Sequence, residues 1–286
     1  MNILDDQIGF VGLGNMGNGI YKNLKIKNFN VVGFDKIKKR IPNKQDNTHS
    51  SLEYIFNNCK VIFFCISTNE EIYKIIKKNH VKDNTIFVDL TTSLPDKSKS
   101  ISNYLKKFNS FYLDCAMSGG ASGAKKGSLS LMSGGDKKIF FKIKPILLAF
   151  AENIFYLGEV GSGQLVKLLH NSVCHSIFLI NCEILQAAEN YGVSAKNIIN
   201  VFNKSNARSF ISERRFPDHI LNKKFDGKSL IFNLKKDLNM ATKILKNKSY
   251  LNSYTLLTSK KLNQIDKKFD NDDFTTIYKN WEKLFN

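Results

Sequence analysis

The chain of 286 residues is long enough for two domains of ordinary size and for a sizeable buried core. Apolar residues make up 42% and charged residues 24%, ordinary globular usage that excludes a disordered, collagenous or low-complexity chain. A formal charge of +18 would suit a polyanion, but only four of the 43 basic residues are arginine and the lysines run from end to end. The expectation is therefore a solvated lysine surface and no nucleic-acid partner.

In chain order, the acidic start MNILDDQIGFVG passes straight into a β-branched burst at 8–11, and no secretory leader is expected. Further bursts follow at 30–34, 61–66, 85–90, 111–113, 129–132 and 154–157, alternating with helical periodicity at 15–27, 69–78, 95–108 and 136–150. This alternation predicts a parallel sheet covered by helices, an α/β doubly wound domain over 1–161. Residues 162–191 read as one helix without proline, ~45 Å long at ~1.5 Å per residue, enough to link two domains. Beyond it 192–286 is helical by period, with polar breaks near 214–218 and 223–228. No apolar run is expected to approach the ~18 residues that span a bilayer, so no membrane partner is foreseen. Cys59, Cys65, Cys115, Cys174 and Cys182 lie mostly in apolar runs without metal-ligand spacing. They predict buried free thiols, no metal, and a reducing compartment, with the cytoplasm as default.

Gly12-Leu13-Gly14-Asn15-Met16-Gly17 falls between the first strand and the first helix, and Asp35 closes the next strand 18 residues after Gly17. Such glycines permit a tight turn, close approach of a pyrophosphate to backbone, and close packing of helix on strand. The pattern in this context points to a dinucleotide. Asp35 can accept both ribose hydroxyls of NAD and repel the 2'-phosphate of NADP. Lys36, Lys38, Lys39 and Arg40 just beyond can neutralise that phosphate, so the preference for NAD is moderate and NADP stays open.

A second cluster runs from Asp114 to Gly127 and contains Ser118, Gly119 and Gly120. Read as a loop beyond a strand's carboxyl end, it offers backbone N–H groups and a hydroxyl to an anion. In the third, GSGQLVKLLHN, Lys167 and Asn171 stand four apart, so an ammonium and an amide share one helical face. A lysine in the first turns opposes the helix dipole, a placement that suggests use in proton transfer. His170 and His175 read as packed rather than catalytic imidazoles, and Lys236-Asp237 alone reads as a common surface pair.

Taken together, FVGLGNMG, DCAMSGGASGAKKGSLSLMSGG, GSGQLVKLLHN and KKDLNMA resemble, in order and spacing, four motifs of the β-hydroxyacid dehydrogenase family. That family includes 3-hydroxyisobutyrate dehydrogenase, tartronate semialdehyde reductase and glyoxylate or succinic semialdehyde reductases, and the likeness covers essentially the whole chain. The resemblance implies a Rossmann-type doubly wound N-terminal domain (1–161), a long interdomain helix (162–191) and an all-α C-terminal domain (192–286). It implies hydride transfer between NAD or NADP and a small anionic substrate, a β-hydroxy acid or short semialdehyde. Lys167 would be the general acid/base, and Ser118, Gly119, Gly120 and Asn171 would bind substrate. Gly12, Leu13, Gly14, Asn15, Met16, Gly17, Asp35, Ser67, Thr92 and Lys236 would bind cofactor.

The chain departs from the family twice. Ala116 and Met117 replace the usual proline and valine before Ser-Gly-Gly, which shifts that loop, and Ser229 replaces an aromatic common eight residues before the K-D-L aspartate. Phe274, Ile277, Tyr278, Trp281 and Leu284, with the long helix, are expected to offer apolar surface for a homodimer or homotetramer, the family's habit. One rival is an imine reductase on the same scaffold, a group that commonly lacks lysine at the position of Lys167. Another is a non-catalytic basic NAD- or nucleic-acid-binding protein, which explains the charge but leaves Lys167 and Asn171 without a task.

Overall fold

The computed structural model describes residues 4, 6–37, 40, 51–246 and 253–285, so Lys38 and Lys39 of the basic run lie outside the described residues. The chain divides into two compact units, Met1–Lys167 and Leu168–Asn286. The division falls inside the long helix, six residues beyond the expected boundary at 161/162.

The first unit holds a seven-stranded sheet: β1 (Ile8–Val11), β2 (Val31–Phe34), β3 (Val61–Phe64), β4 (Ile86–Asp89), β5 (Phe111–Ser118), β6 (Leu129–Gly134) and β7 (Ala151–Tyr156). Their spatial order is β2-β1-β3-β4-β5-β6-β7, with β1 to β5 mutually parallel. The expected parallel sheet is present with one exception towards an edge: β6 pairs antiparallel with β5, and β7 runs parallel to β6. Only residues 119–128 join β5 to β6, fewer than the dozen or so that a parallel crossover needs.

Strands such as VIFF in β3 read as unbroken apolar runs because both faces of the sheet are covered. Phe63 stacks on Phe10 of β1 and shares one buried cluster with Ile20 and Leu24 of α1 (Asn15–Ile26) and Phe140 and Ile143 of α6 (Lys137–Leu147). Phe64 packs on the opposite face with α2 (Leu52–Asn58), α3 (Asn69–Lys78) and α4 (Pro95–Leu105), through Ile55, Ile72 and Ile101. Local signals agree with this packing: Thr68 caps α3, whose first turn is acidic and last turn basic.

The second glycine cluster is not the open loop its composition suggests. Asp114 to Ser118 continue β5, with Cys115 and Ala116 fully buried, and Gly120–Lys126 forms a short helix, α5. Asn23 of α1 donates to the carbonyl of Ala124, so close packing of α1 on α5 accounts for the small residues there. Gly119 and Gly120, both exposed and both at positive φ, make the bend that takes β5 into α5.

The second unit is helical: most of α7 (Ser162–Glu189), α8 (Ala195–Asn203), a π-helix (Ile211–Leu221), α9 (Ile231–Lys246), α10 (Tyr254–Asn263), α11 (Thr276–Lys279) and α12 (Trp281–Phe285). The expected break at 214–218 is corrected: it lies within the π-helix, whose wider turn brings Ile211, Phe216 and Ile220 inward at a spacing that a 3.6-residue period does not reveal. The break at 223–228 is present, with Lys223, Phe225 and Lys228 at positive φ.

Phe274, Ile277, Tyr278 and Leu284 are buried, and Trp281 packs against them. They form the unit's core with Phe178, Cys182 and Leu185 of α7 instead of a surface for a partner. Apolar residues left exposed include a set on α7 itself, Leu169, Val173, Ile180 and Ile184. The expectation that no segment is long and apolar enough to cross a bilayer is also corrected. Helix α7 meets that criterion by length and composition, and 44% of its most apolar stretch is buried in the protein.

Candidate active site

Parallel strands end on the same edge of a sheet, so the register of β1 to β4 sets Gly12, Asp35, Cys65 and Leu90 side by side. The turns that follow carry the expected cofactor residues. Gly12 has φ +103°, and a Cβ on Gly17 would overlap the Gly12 carbonyl, so turn and helix close on each other only with glycine at both places. At Gly14 an added Cβ would meet only the Arg40 guanidinium, at 3.8 Å, which leaves room for a ligand to approach the backbone. Helix α1 starts there without a side-chain cap, and the leading N–H groups of a helix have no intrahelical acceptor. The residues fit a pyrophosphate.

Asp35 is buried beside this turn; its Oδ2 accepts the Leu13 N–H at 2.8 Å and its Oδ1 the Ile37 N–H at 2.8 Å. The basic run splits on folding. Arg40 lies 3.8 Å from Asp35, whereas Lys36 turns away to Glu71 at 3.0 Å. Ser67 is exposed beyond β3, and Thr92 is half-buried beyond β4.

Beneath these turns lies a carboxylate cluster to which sequence reasoning assigned no role. Asp89 accepts hydrogen bonds from the Tyr112 hydroxyl (2.6 Å), the Asn69 amide (2.7 Å) and the Thr91 N–H (2.7 Å). Burial pushes its carboxyl up to about 6 against those donors, which pull it down. Asp114, one strand over, accepts the Gly161 N–H at 2.6 Å and the Gln164 N–H at 2.8 Å, and burial pushes it up to about 7. It thereby caps α7. A Cβ on Gly163 would meet Asp114 Oδ2 at 2.8 Å, so glycine is needed for this approach. Two acids each ending an apolar strand run were the available signal.

On α7, Lys167 is 8% exposed and closes the first unit. Asn171, one turn on, is 6% exposed, and its Nδ2 donates to Asp237 Oδ2 at 2.7 Å. Its Oδ1 is then the acceptor facing His170 Nδ1 at 3.0 Å, which assigns the imidazole proton to Nδ1. Asp237 is therefore not half of a solvated surface pair: it is 8% exposed and holds both Asn171 and, at 3.6 Å, Lys236. Ser229 lies just before α9, its hydroxyl 3.4 Å from the Asn233 amide, with Phe232 half-exposed nearby. All five cysteines are free thiols, and burial pushes Cys59, Cys65 and Cys115 up to about 12. No group of three or more candidate metal ligands occurs among the described residues.

Residues 7–158, more than half the chain, match the family model described as the NAD binding domain of 6-phosphogluconate dehydrogenase. Residues 161–281 match that described as NAD-binding of NADP-dependent 3-hydroxyisobutyrate dehydrogenase. The chain belongs to the β-hydroxyacid dehydrogenase family. Among its relatives, "Probable 3-hydroxyisobutyrate dehydrogenase, mitochondrial" of Dictyostelium discoideum is 30% identical over 214 residues, 72% of this chain and 67% of that one. The 2-(hydroxymethyl)glutarate dehydrogenase of Eubacterium barkeri is 27% identical, over 82% of this chain and 81% of its own. The fold is that of Mycobacterium tuberculosis 3-hydroxyisobutyrate dehydrogenase, solved with L-serine: TM-score 0.87 at 22% identity, covering 96% of this chain and 99% of that one. An imine reductase from Streptomyces aurantiacus shares the fold more distantly, with TM-score 0.64 at 12% identity over 95% and 98% of the two chains. The cofactor class of the chain is that of its family, NAD or NADP.

Proposed function

We propose that the protein oxidises a small β-hydroxy acid, or reduces the matching semialdehyde, with Lys167 moving the proton. The observation that carries this reading is on α7. A buried lysine stands one turn from an asparagine whose amide is held at both ends, by Asp237 and by His170. An amide fixed in this way presents one set orientation to a hydroxyl, and a lysine beside it can take the hydroxyl proton or return it.

The bound nicotinamide supplies the hydride acceptor or donor. The turn at Gly12, Gly14 and Gly17 receives the pyrophosphate, Asp35 the adenosine ribose, and Ser67 and Thr92 line the rest of the cofactor within the first unit. Asp35 favours NAD, and Arg40, the nearest described cation to it, moderates that preference. Ser118, Gly119 and Gly120 hold the substrate carboxylate in the turn between β5 and α5. The relatives' names support an anionic substrate, since 3-hydroxyisobutyrate and 2-(hydroxymethyl)glutarate are both hydroxymethyl carboxylates. Free thiols fit a reducing compartment such as the cytoplasm.

A panel of hydroxy acids and semialdehydes, followed at the nicotinamide absorbance with each cofactor, tests the reading. Turnover of a hydroxymethyl carboxylate with NAD is expected. Replacing the carboxylate by its neutral amide should cost ~10- to 100-fold in kcat/KM, the worth of hydrogen bonds to a charged group at ~1.5 to 3 kcal/mol. A panel without turnover, or equal use of acid and amide, contradicts it.

A further inference from the structure

Gln164 lies in the first turn of α7, three residues before Lys167, and is wholly buried. Its backbone N–H is held by Asp114, as is that of Gly161, so one carboxylate grips the start of the helix. Its side chain reaches the turn after β4. There Oε1 accepts the Ser93 N–H at 2.8 Å and Nε2 donates to the Thr91 carbonyl. A primary amide presents one donor and one acceptor side by side, and the backbone groups flanking Thr92 offer the complementary pair. The same turn is held from the sheet side. The Thr91 N–H donates to Asp89 at 2.7 Å, and the Thr91 hydroxyl donates to the Ile66 carbonyl at 3.3 Å in the turn after β3.

These contacts leave little freedom between the turn carrying Thr92 and the helix carrying Lys167. Both Asp114 and the Gln164 amide are spent on fixing backbone, and neither is needed to fill an apolar space. Resting on the dehydrogenase reading above, we propose that Gln164 is a positioning residue: its amide sets the distance between the Thr92 turn, on the nicotinamide side, and the Lys167 ammonium. Transfer of hydride and proton in one encounter tolerates little error, and a misplacement of ~1 Å can cost ~10²-fold in rate.

Gln164→Met keeps the length and volume but leaves the Thr91 carbonyl and the Ser93 N–H without their partner. Gln164→Glu keeps the acceptor for Ser93 and loses the donor to Thr91. The expected result is a fall in kcat of at least ~10-fold for the Met variant and a smaller fall for Glu, in line with the positional tolerance above. KM and the NADH dissociation constant should stay within ~3-fold, and the effects of Lys167→Ala and Gln164→Met should combine less than additively. A lowered melting temperature with unchanged kcat per folded molecule, in either variant, overturns the proposal and leaves Gln164 a packing residue. If the wild type turns over no panel substrate, the dehydrogenase reading fails separately, and the emission of bound NADH then decides the role of Gln164. A shifted emission maximum in the variant at unchanged affinity supports positioning of the nicotinamide side, and an unchanged maximum refutes it.

Discussion

A buried primary amide can turn either way about its last bond, and in Asn171 the choice is made by Asp237 on one side and His170 on the other. Removing Asp237 leaves the amide free to rotate and one of its donors unpaired. Asp237→Ala is expected to lower kcat/KM by ~10- to 100-fold, from a lost buried hydrogen bond of ~1 to 3 kcal/mol, with NADH affinity little changed. Steady-state kinetics with NADH titration measure both.

Asp89 carries a prediction of a different kind. Its folded carboxyl sits at about 6 against an ordinary 3.8, so between these values the native state holds a proton that the unfolded chain has lost. Stability from this group is therefore greatest at or below pH ~4, falls as pH rises to about 6, and is flat above. Relative to wild type, Asp89→Asn should gain about 2 kcal/mol between pH 4 and pH 7, measured by urea unfolding. The placement of Asp35 at a strand end and of Lys167 early in α7 was legible in the sequence, because spacing from a glycine motif or along one helix fixes it. Asp89, Asp114 and Asp237 were not, because their roles depend on partners 20 to 66 residues away.

The chain from β1 through α1 to β2 reads directly from its residues, since apolar period, glycine punctuation and a strand-end acid all agree there. Elsewhere tertiary contact overrides local composition. The run from Asp114 to Ser118 looks like loop, yet it continues β5 because β6 offers a pairing edge and Cys115 and Ala116 face the core. The π-helix escapes a 3.6-residue template for the geometric reason already given. Helix α7 was legible as a long helix, but not which of its faces would stay open. Leu169, Val173, Ile180 and Ile184 follow the 4-7-4 spacing of one helical stripe and are exposed, Val173 by 60%. A second copy of the chain is the occupant we assign to this stripe. Light scattering at micromolar concentration is expected to show at least a dimer, and Ile180→Lys with Ile184→Lys should shift it toward monomer. A wild-type monomer would contradict the assignment.

Across the molecule, the charge of +18 is carried by scattered lysines, whereas Asp35, Lys167, Asn171 and Asp237 are buried. Fold and cofactor class follow from the sheet order, the glycine turn and the family matches together. Proton transfer by Lys167 is the narrower proposal. Kinetics of Lys167→Ala and Lys167→Arg, with NADH binding measured separately by fluorescence, test it most directly. General acid/base catalysis typically supplies ~10²- to 10⁴-fold, so kcat of the alanine variant should fall by at least that range while NADH affinity holds. Arginine should fail as well, because a guanidinium stays protonated near neutral pH and cannot take the alcohol's proton. Near-normal kcat in Lys167→Ala, or a loss confined to KM that arginine restores, would contradict the account and leave Lys167 as an electrostatic anchor for the carboxylate.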